Sequence, residues 1–321
     1  MFNFRDIKSQ RFSFLFKSLS KINIKLFITF FCLVFLGNSI YVNFDDLANQ
    51  TVTLKVFIWL FAGIIFSSLS IIINAYAWKL LINNIGGDSN KLNIIKIFLN
   101  TNIYKYFPGG IWHFISRYNI LRQKFSTEKT VESILLEPLL MLVAGVIFIP
   151  FGSLNIYIFI LCWSSTLFLL SGFRKFIIKN LKVFKSAIFT YNSKLNDSSL
   201  LQDKENISIN KTYPYKPLFV EIIFILFRFY GFFCCIKAFS IGLSISQLQL
   251  ISSFSLAWII GLIIPAAPGG LGVFESVILF RLGSQLPEAP LLATLLCYRL
   301  VSTFSDILAA LIYPAKRLFK V

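Results

Sequence analysis

Long apolar runs, separated by short polar or basic connections, dominate the pattern of this chain. A helix needs about 18 or more apolar residues to cross the hydrocarbon core of a bilayer. Six runs approach or reach that length with almost no charge, and each predicts a spanning helix. These runs are residues 26–42, 56–75, 133–151, 156–170, 218–236 and 291–313. The pattern therefore predicts an all-α polytopic membrane protein with six full spans.

Two further apolar segments, 92–122 and 248–286, are each interrupted by a Pro-Gly-Gly sequence. The interruptions are Pro108, Gly109 and Gly110 in the first segment, and Pro268, Gly269 and Gly270 in the second. Proline removes a backbone donor and glycine admits unusual dihedral angles, so each segment is predicted to be a broken helical hairpin. Backbone groups freed in this way must be buried in protein or line a wet cavity. The alternative is that each segment forms two full spans joined at the membrane face, giving eight or more spans.

The two interruptions share the pattern P-G-G-[I/L]-x-x-F-x-S and divide the chain into two similar halves. The predicted first half, 1–152, contains spans 26–42 and 56–75, hairpin 92–122 and span 133–151. The predicted second half, 153–321, contains span 156–170, a cytoplasmic loop 173–216, span 218–236, hairpin 248–286 and span 291–313. One half begins inside and the other outside, which predicts an inverted repeat of the kind found in many secondary transporters.

Charge supports this topology. The chain is 56% hydrophobic and 14% charged, with a net charge of +17. The connections 43–54 and 152–155 contain no Lys or Arg, whereas the stretches 79–129 and 174–216 and both ends are basic. By the positive-inside rule both termini are predicted to be cytoplasmic. Since the positive charge follows the topology, we predict no nucleic-acid partner.

Charged side chains within apolar spans are costly, so each is a candidate for function or for a buried structural pair. The candidates are Glu137, Glu221, Arg228, Arg299 and Asp306. Glu221 and Arg228 lie two helical turns apart on one face, and Arg299 and Asp306 repeat that spacing. The sequence leaves both interpretations open.

The second interruption also offers an anion site, because the amides of residues 269–272 open a helix at its positive end. Glu275 falls in the first turn of this helix, where a carboxylate either caps the helix or contacts a ligand. Near the first interruption, Lys105, His113 and Arg117 could hold a phosphate or extend toward the headgroups.

Catalytic chemistry is poorly represented. There is no Ser-His-Asp set, phosphate-binding Walker loop, dinucleotide glycine fingerprint or metal-ligand cluster, and His113 is the single histidine. We predict no catalytic residue, metal or cofactor. A membrane transferase that uses carboxylates alone, among Glu137, Glu221, Glu275 and Asp306, stays open.

The segment Pro265-Ala-Ala-Pro-Gly-Gly-Leu-Gly-Val-Phe-Glu275 resembles the transmembrane region of the lysylphosphatidylglycerol synthase/flippase family. Tyr298-Arg299 downstream, and Pro108-Gly-Gly followed by Arg117 upstream, are similar to the family pattern more loosely. In full-length members a soluble aminoacyltransferase domain follows this region. The sequence here ends after the last predicted span, so we do not expect lysyl transfer.

The resemblance implies a flippase-like translocase of an anionic or phosphate-bearing lipid in a bacterial cytoplasmic (inner) membrane. Its partners would be lipids with anionic headgroups and enzymes of lipid or glycan synthesis. The alternative is a membrane-embedded transferase or accessory subunit in glycolipid or cell-surface polysaccharide assembly. The predicted substrate-binding residues are Pro268, Gly269, Gly270, Gly272, Glu275, Arg299, Arg228, Pro108, Gly109, Gly110 and Arg117.

Overall fold

The computed structural model describes residues 53–107, 111–180, 212–239, 241, 245–264 and 272–312, together with residues 37, 38, 41, 42 and 45. Every regular element in this part of the chain is a helix. The α-helices are α1 (Leu54–Asn84), α2 (Ile94–Asn102), α3 (Trp112–Leu121), α4 (Thr127–Val146), α5 (Ile156–Trp163), α6 (Ser171–Asn180), α7 (Tyr215–Ala238), α8 (Gln247–Ile263), α9 (Val273–Leu282) and α10 (Glu288–Leu311). Short 3-10 segments lie at Ser89–Lys91, Ile103–Tyr106, Ile149–Gly152 and Ser164–Leu169.

Four helices in the described ranges are long and apolar enough to cross a membrane: α1, α4 with its 3-10 extension to Gly152, α7 and α10. They contain four of the six predicted spans. Residues 156–170 form the short helix α5 and a 3-10 segment, and 26–42 lies almost entirely outside the described residues. The chain is a multi-pass helical membrane protein, whereas the total number of spans stays a prediction.

Helices α1 and α7 pack along each other at the centre of the bundle. Small residues allow the close approach. A Cβ atom on Gly63 would lie 3.3 Å from the Gly231 carbonyl oxygen, and one on Gly231 would lie 2.4 Å from the Ser67 hydroxyl oxygen. In lipid, helices associate through such van der Waals contacts, so this crossing brings the two halves of the chain together.

The other long helices pack on this central pair in a reciprocal way. Helix α1 contacts α10, and α7 contacts α4. Helix α2 also contacts α10, and α8 contacts α4. Helices α1, α2 and α4 thus correspond to α7, α8 and α10, respectively. Exchanging each helix with its counterpart converts each of these contacts into another of them.

The helical arms of both predicted hairpins are present. The first consists of α2, the 3-10 segment Ile103–Tyr106 and α3, and the second consists of α8 and α9. Their Pro-Gly-Gly tips, at 108–110 and 265–271, lie outside the described residues. How deeply the tips enter the membrane stays a prediction.

Candidate functional site

Charged side chains from both hairpins and from three long helices are buried inside the bundle. They include Arg117, Glu137, Glu221, Arg228, Glu275 and Asp306. Glu132 and Arg174 are buried as well and lie 3.5 Å apart as a separate ion pair. An ionised group in a membrane interior is costly unless a partner compensates its charge. The partners of these groups show which of them are bound within the protein and which remain available to bind a ligand.

Arg117 and Glu137 form a buried ion pair between α3 and α4. The distance from Arg117 Nη1 to Glu137 Oε2 is 2.7 Å. Arg117 Nε also donates to Thr101 Oγ1 at 3.1 Å, and its guanidinium carbon lies 4.0 Å from the Phe98 ring centroid and 5.0 Å from that of Trp78. Contacts with a carboxylate, a hydroxyl and two ring faces make this arginine a fixed part of the first hairpin.

Glu275 caps α9, which is one of the two roles that its position in the first turn left open. The Gly272 amide donates to Glu275 Oε2 at 2.9 Å, and Ser276 Oγ donates to the Gly272 carbonyl oxygen at 2.6 Å. Gly272 has a φ of +84°, a conformation that glycine adopts without strain. The same carboxylate accepts from Arg299 Nε, and from Arg299 Nη2 at 3.1 Å, which ties α9 to α10.

Asp306 of α10 collects three donors from the first hairpin. Lys105 Nζ lies 2.7 Å from Asp306 Oδ2, Tyr106 donates its hydroxyl to the same oxygen at 2.5 Å, and Asn102 Nδ2 donates to Oδ1 at 2.9 Å. The 3-10 segment Ile103–Tyr106 follows α2 directly, which turns Lys105 and Tyr106 toward the same carboxylate. This contact joins the first hairpin to the last long helix.

Arg228 lies beside this cluster but forms no ion pair with Asp306. Asp306, Tyr106 and Tyr298 are its electrostatic neighbours, and Lys105 is close enough to be repelled by it. Arg228 is 7% exposed, and its Nη1 atom has no hydrogen-bond partner among the described residues. Lys105 and Arg228 together carry two positive charges against the single carboxylate of Asp306. Among the residues that the structure describes, one positive charge therefore remains uncompensated at this place in the bundle.

The predicted site residues fall into three groups. Arg117 and Arg299 form ion pairs with Glu137 and Glu275, and Gly272 donates its amide to Glu275, so these candidates have partners within the protein. Arg228 is the predicted cation that retains a free donor. The remaining candidates lie at the tips outside the described residues: Pro108, Gly109, Gly110, Pro268, Gly269 and Gly270.

Sequence reasoning missed the neutral side chains that bind these charges, Thr101, Asn102 and Tyr106. A signal was present, since Asn102 and Tyr106 are polar residues four positions apart at the end of an apolar arm. Such spacing places two side chains on one face of an α-helix. The 3-10 segment that follows Asn102 changes this register, yet both side chains donate to Asp306.

Metal chemistry has no support in the described ranges, where no group of three or more His, Cys, Asp or Glu side chains could hold an ion. The four cysteines there, Cys162, Cys234, Cys235 and Cys297, are free.

The family model described as "Lysylphosphatidylglycerol synthase TM region" matches residues 22–310. The chain belongs to this family. The match covers both hairpins and every ion pair described above, and it confirms the resemblance seen at residues 265–275. A comparison with curated proteins gives no match. Membership of this lysylphosphatidylglycerol synthase family gives the chain a membrane function related to lipids.

Proposed function

We propose that this protein moves a lipid with an anionic or phosphate-bearing headgroup between the leaflets of a bacterial cytoplasmic membrane. Membership of the lysylphosphatidylglycerol synthase transmembrane family supports a lipid substrate. The observation that carries the proposal is the uncompensated positive charge at Arg228 and Lys105, beside Asp306.

The chemistry of this cluster suits a phosphate. A guanidinium donor without a partner is costly inside a bundle, and hydrogen bonds to a phosphate oxygen would satisfy it. Asp306 limits the local charge to a single excess positive, so one monoanionic headgroup would bring the cluster to neutrality. The amides at Gly269 and Gly270 remain part of the proposal as a second contact for the same headgroup, whereas the Gly272 amide is already bound to Glu275.

The reciprocal helix packing supports a mechanism of alternating exposure. Helices α1 and α7 cross at Gly63 and Gly231, and the other contacts exchange in pairs about this crossing. Two inverted halves that rock about such a crossing could open the cluster first to one leaflet and then to the other. No covalent chemistry is required for this cycle.

The test uses the full chain reconstituted in vesicles that carry fluorescent phosphatidylglycerol in both leaflets. A membrane-impermeant reductant bleaches the outer leaflet, so a second, slower loss of signal reports translocation. We expect wild type to give this second phase and Arg228→Gln to slow it strongly. Arg281→Gln changes an exposed arginine on α9 and serves as the matched control. Equal rates in wild type, Arg228→Gln and protein-free vesicles would refute the proposal.

The same material separates translocation from transfer chemistry. In detergent there are no leaflets, so a translocase has no net reaction to perform. Formation of a new product from an activated sugar or acyl donor in detergent would instead favour the membrane transferase.

A further inference from the structure

A second group of buried ionisable side chains, distinct from the Asp306 cluster, contains more acidic than basic groups. Arg117 is bound to Glu137, and Glu221 of α7 has Glu137 as its charged neighbour. Glu221 therefore lies near a carboxylate that already has its own guanidinium partner. Glu221 is 1% exposed, and its Oε2 atom has no hydrogen-bond partner in the described part of the chain.

Two other buried polar atoms without partners lie in this region of α1. They are Asn74 Oδ1 and Trp78 Nε1, on residues that are 5% and 0% exposed. The Trp78 ring lies 5.0 Å from the Arg117 guanidinium carbon, which places it at the ion pair. Asn74 lies one turn before Trp78 on the same face of α1.

The crossing of α1 and α7 sets the depth of Asn74 relative to Glu221. Gly63 meets Gly231 at the crossing. Asn74 follows Gly63 by eleven positions, and Glu221 precedes Gly231 by ten. Because the paired helices are predicted to run in opposite directions, equal steps of about 1.5 Å per residue bring the two side chains to the same depth.

In the described part of the chain, no basic side chain is recorded beside Glu221. Helix α8 carries no ionisable side chain between Gln247 and Ile263. On α10, Tyr298 and Asp306 are neighbours of Arg228, and Arg299 is bound to Glu275. Helix α1 presents Asn74 and Trp78 at this depth, and Lys79, one position further along, is not a charged neighbour of Glu221. Glu137 of α4 is thus the charged group beside Glu221.

We infer that Glu221 is a proton-exchange site, neutral while Arg117 pairs with Glu137 and able to release its proton when that packing changes. A dry helix interior holds one ion pair readily, whereas a second uncompensated carboxylate is costly, so the second acid retains its proton. In the exchange step the O–H bond of the Glu221 carboxyl breaks, the proton passes to solvent, and a carboxylate remains. No oxidant or further reactant is involved.

The site also has a functional consequence, which rests on the proposed lipid translocation. Arg228 lies seven positions after Glu221, on the same face of α7 and about 10 Å further along its axis. One helix thus carries both the proton site and the cation assigned to the headgroup. A movement of α7 that changes access to one changes access to the other, so translocation is coupled to proton movement.

The proton site is tested without any transport measurement. Infrared spectra are recorded across a pH titration of the full chain in detergent, with glutamate labelled with carbon-13 at its side-chain carboxyl. The titration is carried out in a Glu132→Gln background, which removes another buried glutamate whose Oε1 has no hydrogen-bond partner among the described residues. We expect one neutral-carboxyl band of glutamate at neutral pH, lost in Glu221→Gln and unchanged in Glu288→Gln, which alters an exposed acid on α10. Glu221→Asp replaces the labelled glutamate with an unlabelled aspartate, so the band of the labelled carboxyl should disappear. A band that persists in Glu221→Gln would overturn the assignment.

Coupling is tested in the vesicle assay with a pH difference across the membrane. We expect the gradient to change the wild-type translocation rate, and we expect that response to be lost in Glu221→Gln, which is permanently neutral. An unchanged response in Glu221→Gln would overturn the coupling. If wild type moves no lipid, the proposed function fails while the infrared result still decides the proton site.

Discussion

The two broken hairpins are fixed to the bundle by ion pairs of opposite polarity. In the first hairpin, α3 contributes the cation Arg117, and the long helix α4 contributes the acid Glu137. In the second, α9 contributes the acid Glu275, and the long helix α10 contributes the cation Arg299. Each hairpin is thus bound by its second arm to the long helix that follows it in the chain.

The pairs differ in burial and in what else their members do. Both members of the first pair are almost inaccessible, whereas the Arg299 side chain is 21% exposed and Glu275 also caps α9. The first hairpin has an additional contact, through Lys105, Tyr106 and Asn102, to Asp306 in the other half of the chain. The first hairpin therefore connects the two halves through charged and polar side chains, whereas the second contacts the first half through the packing of α8 on α4.

The largest effect is expected from breaking the first pair. Glu137→Leu leaves the Arg117 guanidinium buried without its carboxylate, and losing one member of a buried pair costs about 3–5 kcal/mol. We expect a marked fall in the melting temperature of the detergent-solubilised protein. Arg117→Met combined with Glu137→Leu removes both charges and should recover most of the loss. A wild-type melting temperature in Glu137→Leu would show that the pair contributes little.

The second pair should be less sensitive, and its two roles can be separated. Glu275→Gln keeps an oxygen that can accept from the Gly272 amide but loses the ion pair, whereas Glu275→Leu loses both. Since a helix cap is worth about 1 kcal/mol, we expect Glu275→Leu to be less stable than Glu275→Gln by about that amount. Thermal unfolding of the two variants side by side measures the difference. Equal stability would mean that the cap is not important for α9.

The link between the halves is tested at Asp306. Asp306→Asn retains an oxygen for Tyr106 or Asn102 but loses the charge that holds Lys105, with an expected cost of about 1–2 kcal/mol. It also leaves Arg228 and Lys105 without their acid, so the protein should retain more anionic lipid through purification. Native mass spectrometry counts the retained lipids, and Lys79→Gln, outside this cluster, is the control. Fewer retained lipids in Asp306→Asn would contradict the proposed anion site.

The long helices and the cap could be predicted because their signals are local. Apolar runs of sufficient length gave four of the spans, and the position of Glu275 in the first turn of α9 gave the cap. The run 156–170 was expected to be one continuous span, but it changes to 3-10 geometry at Ser164. Ser164 and Thr166 donate their hydroxyls to the carbonyl oxygens of Leu161 and Trp163, which competes with the α-helical pattern.

The partners of the buried charges could not be predicted in the same way. Asn102 and Asp306 are 204 positions apart, and a single sequence contains no information about which helices pack together. The charge positions were identified as candidates, but whether Arg117 would bind a headgroup or Glu137 depends on the packing of α3 on α4. Arg228 of α7 remains a candidate for binding a ligand because its Nη1 atom has no hydrogen-bond partner among the described residues.

The smallest expected effect concerns the contact between the arms of the second hairpin. The described arms of the first hairpin contain no glycine, whereas α8 contains Gly261, where an added Cβ would lie 4.0 Å from the Phe274 Cβ on α9. That is ordinary van der Waals contact, and alanine is a better helix former than glycine, so Gly261→Ala should stabilise the protein by about 0.5–1 kcal/mol. Gly172→Ala on α6, where a Cβ meets nothing within 4 Å, controls for helix propensity alone.

If the arms of the second hairpin must slide during lipid movement, Gly261→Ala will raise the melting temperature while slowing translocation, and Gly172→Ala will leave translocation unchanged. A faster or unchanged rate in Gly261→Ala would instead show that the second hairpin moves as one rigid unit.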